Sequence, residues 1–300
     1  MGVLEIIMKR IIALILILAP LLTALALGVE FMCGYEVHRD VSYGELGCEK
    51  MDIFIPDEAY ERESNGCVLL IHGGSWSGGD KREEELMSRY IANKGYIAVT
   101  MNYSLSVSDG SYSVGLVLDE IDMAIRKICS FAAEKGITVG EIATYGYSAG
   151  AHLAMLYSYS RGAKAPIRVK FTANMAGPAD ICADVWGEEK AIKIAAILSG
   201  KPVTDEMIES GEVWDMLASY SPTSYISAST PPTLFAYGGK DTTVTEKNAD
   251  SLKAGLDAAG VRYDYIYFEN SDHTLLQNFG KRIKFAIKVI DYCDEYFTGE

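Results

Sequence analysis

Cations and histidines are scarce in this chain. Its 300 residues hold 27 Lys and Arg against 41 Asp and Glu, a formal net charge of −14, with a pI near 4.8. Nucleic acids and other polyanions need clustered Lys and Arg, so this balance argues against them as partners and reads as a solubilising surface. Only four histidines are present, at positions 38, 72, 152 and 273. The six cysteines, 33, 48, 67, 129, 182 and 293, form no Cys-x-x-Cys and no spacing with histidine that suits a metal. The Gly-rich stretches contain neither a Gly-x-Gly-x-x-Gly fingerprint nor a Gly-Lys-Ser/Thr ending, which argues against a phosphate cradle. No metal ion or organic cofactor is implied. Internal repeats and low-complexity tracts are absent as well.

Charge is also missing from one long N-terminal run. Lys9-Arg10 precede Ile11 to Val29, which carry no charge, and Glu30 closes the run. A basic region, an apolar stretch and the small residues of Ala24-Leu25-Ala26 describe a secretory signal. The run is also just long enough to span a membrane, although Pro20 in its middle makes a straight anchor less attractive. Residues 1–29 are thus expected to be a cleaved signal peptide or an uncleaved membrane anchor. Either places the rest of the chain outside the cytoplasm. Phe31-Met32 replace the small residues that precede a lipidated cysteine, so Cys33 does not read as a lipid anchor. Cys33 and Cys48 are the one pair close enough in sequence to test as a disulfide, whereas Cys67 and Cys129 read as core residues. Oligomeric state is not legible.

Across the whole chain, 49% hydrophobic residues suffice for a large core. Residues 35–56 alternate as paired strands. Cys67 to Ile71 is a continuous apolar run, as expected of a strand buried on both faces. A Gly-rich loop from His72 to Lys81 and an amphipathic helix from Arg82 to Lys94 follow, then a strand from Tyr96 to Tyr103. Val114 to Lys135 has a helical period, Glu141 to Tyr145 is a strand, and Ala149 to Tyr159 a helix. Val169–Met175, Thr233–Tyr237 and Tyr263–Phe268 read as strands, with helices over Glu246–Ala259 and Lys281–Phe297. This alternation implies a single α/β domain over 36–297, a mostly parallel sheet flanked by helices. Residues 178–222 break the rhythm with two helical pieces, about 183–199 and 204–218, and no strand. They are expected to form a small helical cap above the carboxyl ends of the strands. Trp186, Trp214 and Met216 could wall an acyl pocket there, or simply pack in the core.

The chemistry concentrates at Gly146-Tyr147-Ser148-Ala149-Gly150. A Gly-x-Ser-x-Gly turn between strand and helix pushes a serine hydroxyl out of the sheet edge, which makes Ser148 a candidate nucleophile. A hydroxyl needs a base in hydrogen-bond reach and a third group to orient that base. His38 lies before the core sheet, His72 belongs to the Gly loop, and His152 points into the packing from the same helix as Ser148. His273, in a loop beyond a strand end, is the base by elimination. Asp241, just past another strand end, is its expected carboxylate partner, with neighbouring Asp272 as the rival. Amides of Gly73, Gly74 and Ala149 are placed to stabilise an oxyanion.

His72-Gly73-Gly74-Ser75-Trp76, Gly146-Tyr147-Ser148-Ala149-Gly150, Asp241 and His273 together resemble the α/β-hydrolase superfamily. The likeness is to its serine esterase branch with a His-Gly-Gly-x-Trp loop. That branch includes carboxylesterases, hormone-sensitive-lipase-like enzymes and formylkynurenine formamidases, and residues 72–81 are also similar to bacterial feruloyl and acetyl-xylan esterases. The order Ser, Asp, His is the one that this fold imposes. The resemblance implies a Ser148–His273–Asp241 triad and hydrolysis of short-acyl esters, including acetyl or feruloyl groups on carbohydrate, without a cofactor. It leaves open an amidase or peptidase of formamidase type, and a non-catalytic binding protein is disfavoured because all three triad residues are present. Two departures stand out. Ser75 replaces the third glycine of many lipase-like relatives, and Asn270-Ser271-Asp272 replace a Gly-rich approach to the histidine.

Overall fold

Strands that are apolar along their whole length need cover on both faces, and this chain supplies it. The computed structural model describes residues 34–106 and 111–298; the expected leader and Cys33 lie outside them. Eight strands form one sheet in the order β1-β2-β4-β3-β5-β6-β7-β8. They are β1 (Tyr35–Ser42), β2 (Lys50–Pro56), β3 (Asn65–Ile71), β4 (Ile97–Met101), β5 (Val139–Tyr147), β6 (Val169–Met175), β7 (Thr233–Gly238) and β8 (Tyr263–Phe268). β2 pairs antiparallel with both β1 and β4. All pairings from β4 to β8 are parallel, so those strands end at one common edge.

Alternate residues of β3 face opposite layers. Cys67, Leu69 and Ile71 join a core built with α2 (Val114–Glu134) and α3 (Ala149–Ser160). Val68 and Leu70 join a second core under α1 (Glu85–Ala92) and the terminal α9 (Phe279–Tyr296). A third cluster packs α8 (Lys247–Ala259) on Phe235 and Tyr237. α3 is buried almost all round, which matches its lack of a polar face. The fold is therefore the α/β arrangement expected from the strand–helix alternation.

The expected helix from Arg82 to Lys94 is shorter and begins differently. Lys81–Glu84 is a 3-10 turn started by a capping box between Asp80 and Glu83, and α1 follows it. His38 lies on β1 as expected, yet it is half-buried, edge-on to Phe131 at 5.0 Å and beside Glu36. Cys67 is buried, while Cys129 is half-buried and packs against the first core. Among the described residues the cysteines are free.

The 178–222 insertion is also more broken than its sequence implies. Left-handed Gly187 and Gly211 divide its two helical pieces into α4 (Ala183–Trp186), α5 (Glu188–Ser199), α6 (Asp205–Glu209) and α7 (Glu212–Tyr220). Ile194, Leu198, Val213 and Leu217 sink into the first core beside Trp76 and Tyr112. The two ends of the insertion are clasped together. Ile181 N–H donates to Ser221 Oγ at 2.8 Å, Thr223 N–H to Ala179 C=O at 3.0 Å, and Ala179 N–H to Asn248 Oδ1 at 3.0 Å.

One buried ion cluster ties β2 to the loop after β3. The fully buried Asp52 carboxylate accepts from Lys81 Nζ at 2.7 Å, Arg39 Nη1 at 2.7 Å and Asp40 N–H at 2.8 Å. Burial alone would raise this carboxyl, but the Lys81, Asp40 and Arg39 contacts outweigh it and hold it below the ordinary range. A depressed folded-state pKa stabilises the protein above the unfolded value of about 3.9, and that stability is lost as pH falls through the folded value. Asp52→Asn should therefore unfold at lower urea than wild type at pH 7, by about 3 kcal/mol, because Arg39 and the buried Lys81 both lose their shared buried counterion and Lys81 keeps only the exposed Asp40, at 2.9 Å. The gap should close as pH drops below about 4; a gap independent of pH would show that the charge is not what matters.

Candidate active site

The turn at Ser148 is set by backbone contact rather than by side chains. Ser148 sits at φ 52°, ψ −120°, a conformation rare for a residue with a Cβ. Its N–H bonds Met175 C=O of β6 at 2.9 Å and its C=O accepts from His152 N–H at 3.0 Å, so strand and helix both grip it. Gly150 lies on the end of β3. A Cβ there would come within 2.0 Å of Ile71 O and 2.4 Å of His72 O. α3 can start this close to β3 only because that position is glycine.

The same contact brings the loop after β3 to the serine. A Cβ on Gly73 would lie 3.4 Å from Ser148 Cβ. The Gly73 carbonyl is turned away and occupied, 2.7 Å from His72 Nδ1 and 3.5 Å from the Tyr103 hydroxyl. In a trans peptide the following N–H points the opposite way, which directs Gly74 N–H out of the loop's interior. Gly74 has φ +109°, and a Cβ would strike Gly78 O at 2.1 Å. Ser75 and Trp76 continue at φ +53° and +59°, so Ser75 adopts the left-handed conformation open to the glycine it replaces.

Strand spacing explains how the other groups arrive. β5 and β8 are three strand intervals apart, about 14 Å, so the loop after β8 must fold back across the sheet edge. Gly239 N–H to Phe268 C=O at 3.0 Å and Lys240 N–H to Ser271 C=O at 2.9 Å lace the loops after β7 and β8 together. Tyr147 then donates its hydroxyl to His273 C=O at 2.9 Å. The result is a continuous relay. Ser148 Oγ lies 2.8 Å from His273 Nε2, and His273 Nδ1 lies 2.7 Å from Asp241 Oδ2. Asp241 Oδ1 accepts from Thr243 and Val244 N–H, each at 2.8 Å, which fixes the carboxylate plane. Asp272 is exposed and spends its oxygens on Thr274 and Gln277.

The remaining sequence candidates separate. His152 is fully buried and does not face Ser148; its ring lies between Trp76 and Tyr220. His72 stacks on Tyr103 at 4.4 Å inside the loop. Trp214 and Met216 pack against the first core. Trp186 borders a cavity of about 560 Å³ beside Asp241, which Thr245, Glu246, Lys247 and Asp250 also line. Two lysines tie the insertion to the segment after β7: Lys190 Nζ donates to Thr243 C=O in the loop, and Lys247 Nζ, at the start of α8, to Asp184 C=O, both at 2.8 Å. Tyr147 and the Trp76–His152 pair were not singled out as working parts in the sequence, though both flank residues of its motifs.

A family model described as BD-FAE matches residues 51–256, a span that holds Gly73, Gly74, Ser148 and Asp241 and stops before His273. A probable isoprenylcysteine alpha-carbonyl methylesterase of Oryza sativa subsp. japonica is 28% identical over 137 residues, 46% of this chain and 32% of that protein. A kynurenine formamidase of Danio rerio is 26% identical over 117 residues, 39% of this chain and 37% of that protein. The chain thus spans about a third of the length of these curated relatives. Among solved structures, a truncated form of a carbohydrate esterase from gut microbiota has a TM-score of 0.70 at 20% identity, covering 86% of this chain and 97% of that one. The likeness to that structure is one of fold.

The elbow contact makes a sharp prediction. Gly150→Ala should lower the melting temperature by about 5–10 °C, from an overpacking cost of about 2–3 kcal/mol at a backbone contact that cannot yield. Gly47→Ala, where an added Cβ meets nothing within 4 Å, should change stability by under about 0.5 kcal/mol. Equal melting temperatures in calorimetry for the two variants would refute the close-contact argument.

Proposed function

The chain belongs to the BD-FAE family, an esterase family of α/β-hydrolase type, and on that premise we propose that it cleaves short-acyl carboxylic esters through an acyl-enzyme on Ser148. The observation that carries the mechanism is the relay of 2.8 and 2.7 Å from Ser148 through His273 to Asp241. Ser148 Oγ attacks the ester carbonyl as His273 Nε2 takes its proton, and Asp241 accepts the Nδ1 hydrogen and stabilises the imidazolium. Amides of Gly73, Gly74 and Ala149 receive the oxyanion; Ala149 opens α3, so its N–H also carries the positive end of that helix. The leaving alcohol departs with the proton from His273. Water, deprotonated by the same nitrogen, then releases the carboxylic acid and restores Ser148.

For the alcohol side we propose a carbohydrate, with acetyl or feruloyl as the acyl group. This is supported by the carbohydrate esterases among the similar structures; the open cavity beside Asp241, lined by an indole and polar side chains but by neither Ser148 nor His273, is proposed to take a sugar unit away from the reacting ester. The 178–222 insertion serves in this reading as a cap. Its support is the set of bonds it makes to segments beyond strand ends, including Ser106 Oγ to Ile197 C=O at 2.8 Å and the two lysines. Amide hydrolysis is the second reading, favoured by the match to a kynurenine formamidase.

Ser148→Ala should reduce hydrolysis of p-nitrophenyl acetate by about 10⁴-fold or more, with acetate faster than octanoate. Rates that survive the substitution would overturn the nucleophile, and faster turnover of N-formylkynurenine than of any ester would make the amidase reading correct. Trp186→Ala should lower the ratio of kcat/KM on acetylated xylo-oligosaccharide to that on p-nitrophenyl acetate about tenfold; an unchanged ratio would remove the sugar from that cavity.

We further propose that the catalytic domain works outside the cytoplasm, on the strength of Lys9-Arg10 and the charge-free run that follows. Fractionating cells that express the full chain should place activity in the extracytoplasmic or membrane fraction. Activity confined to the cytosol would refute export.

A further inference from the structure

The loop that carries the oxyanion amides is strained, and the structure shows what holds it. Gly74, Ser75 and Trp76 are three consecutive residues at positive φ, and the two with a Cβ are strained unless their surroundings compensate. Trp76 is pinned at both ends. Its carbonyl accepts from Ser106 N–H at 2.6 Å, and its buried indole donates to His152 Nδ1 at 3.1 Å. The two rings meet edge-on, 5.2 Å between centroids and 87° between planes.

Donor chemistry settles the state of His152. An indole N–H can only donate, so Nδ1 must present a lone pair. The other nitrogen, Nε2, lies 2.8 Å from the backbone carbonyl of Tyr220 at the end of α7, which can only accept. His152 is therefore the neutral tautomer with its hydrogen on Nε2, and each partner enforces that choice. Burial agrees, since it pushes the imidazole down to about 4. Among the described residues no acidic or basic side chain hydrogen-bonds the ring. It stands one turn after Ser148 on α3, and its own N–H closes the first helical bond onto the Ser148 carbonyl.

We propose that His152 is a positioning residue for ester hydrolysis: in its Nε2–H form it accepts the Trp76 indole hydrogen and thereby holds the amides of Gly73 and Gly74 in register with Ser148. It touches neither substrate nor reacting atoms. Its effect passes through two residues of loop, where small displacements are costly because the oxyanion donors must sit within hydrogen-bond reach of a charge that exists only in the transition state. The insertion contributes through the Tyr220 carbonyl, which selects the tautomer that Trp76 needs.

The inference rests on the esterase reading, and its test is a double-mutant cycle on p-nitrophenyl acetate with a spectroscopic readout beside it. Trp76→Phe keeps the ring and removes the donor; His152→Leu removes the acceptor. Each should lower kcat about 10- to 100-fold with KM within about twofold. The double variant should be no slower than the worse single one, because both delete the same bond. Of the three tryptophan indole N–H resonances, one should lie downfield in wild type and lose that shift in His152→Leu. His152→Gln, which keeps an acceptor and a donor, should retain more kcat than Trp76→Phe, and it replaces the leucine variant if that one does not fold. Losses that multiply across the cycle, a lowered melting temperature with kcat intact, or a glutamine variant no better than Trp76→Phe would each overturn the proposal. The indole shift does not depend on activity, so failure of the esterase reading, seen as wild-type hydrolysis that survives Ser148→Ala, remains distinguishable.

Discussion

The close approach of two backbones, the end of β3 and the first turn of α3, is the constraint on which this site is built. Gly150 rests on the carbonyls of Ile71 and His72, so no side chain separates the loop that carries Gly73 and Gly74 from the turn that carries Ser148. β3 and β5 are hydrogen-bonded neighbours in the middle of the sheet, buried on both faces by packed helices. The distance between Ser148 and the amides of Gly73 and Gly74 is thus inherited from the sheet, the part of the molecule least able to deform.

Groups that arrive from further away are tethered one by one. The loop carrying His273 is held by the Tyr147 hydroxyl and by backbone bonds to the loop after β7. Asp241 is oriented by two amides of its own turn. The strained segment from Gly74 to Trp76 is held through its indole and its carbonyl. Each tether removes freedom before substrate arrives, and fixed donors and dipoles are what an active site uses to stabilise developing charge. Strain at Ser148, Ser75 and Trp76 lies where that requirement is strongest.

How much of this could be read from the chain depended on the range of the interaction. The buried run from Cys67 to Ile71, the period of α2 and the serine turn are local patterns, and each appeared where its residues implied. The placement of His273 and Asp241 beside Ser148 was legible because only four histidines exist and because both residues lie in loops that follow strand ends. Partners distant in sequence were not legible. The bond between Trp76 and His152 joins residues 76 apart, and Asp52 meets Lys81 only after β2 is laid beside β4. The breaks at Gly187 and Gly211 were hidden for another reason. Their helical pieces keep apolar spacing on either side, so periodicity ran through the interruption.

The clasp at the base of the insertion has a consequence for how such a chain can change. Ala179 and Ile181 meet Ser221 and Thr223, so the polypeptide leaves the sheet layer and re-enters it at nearly the same point. A loop closed at its base can be lengthened or shortened with little effect on the strands below, since doubling its length adds only about 0.6 kcal/mol of closure entropy. Within that segment the parts free to vary are those that neither enter the first core, as Ile194, Leu198, Val213 and Leu217 do, nor hold His152, as Tyr220 does. The segment's length can change there through insertion and deletion while the Ser148–His273–Asp241 relay keeps its geometry.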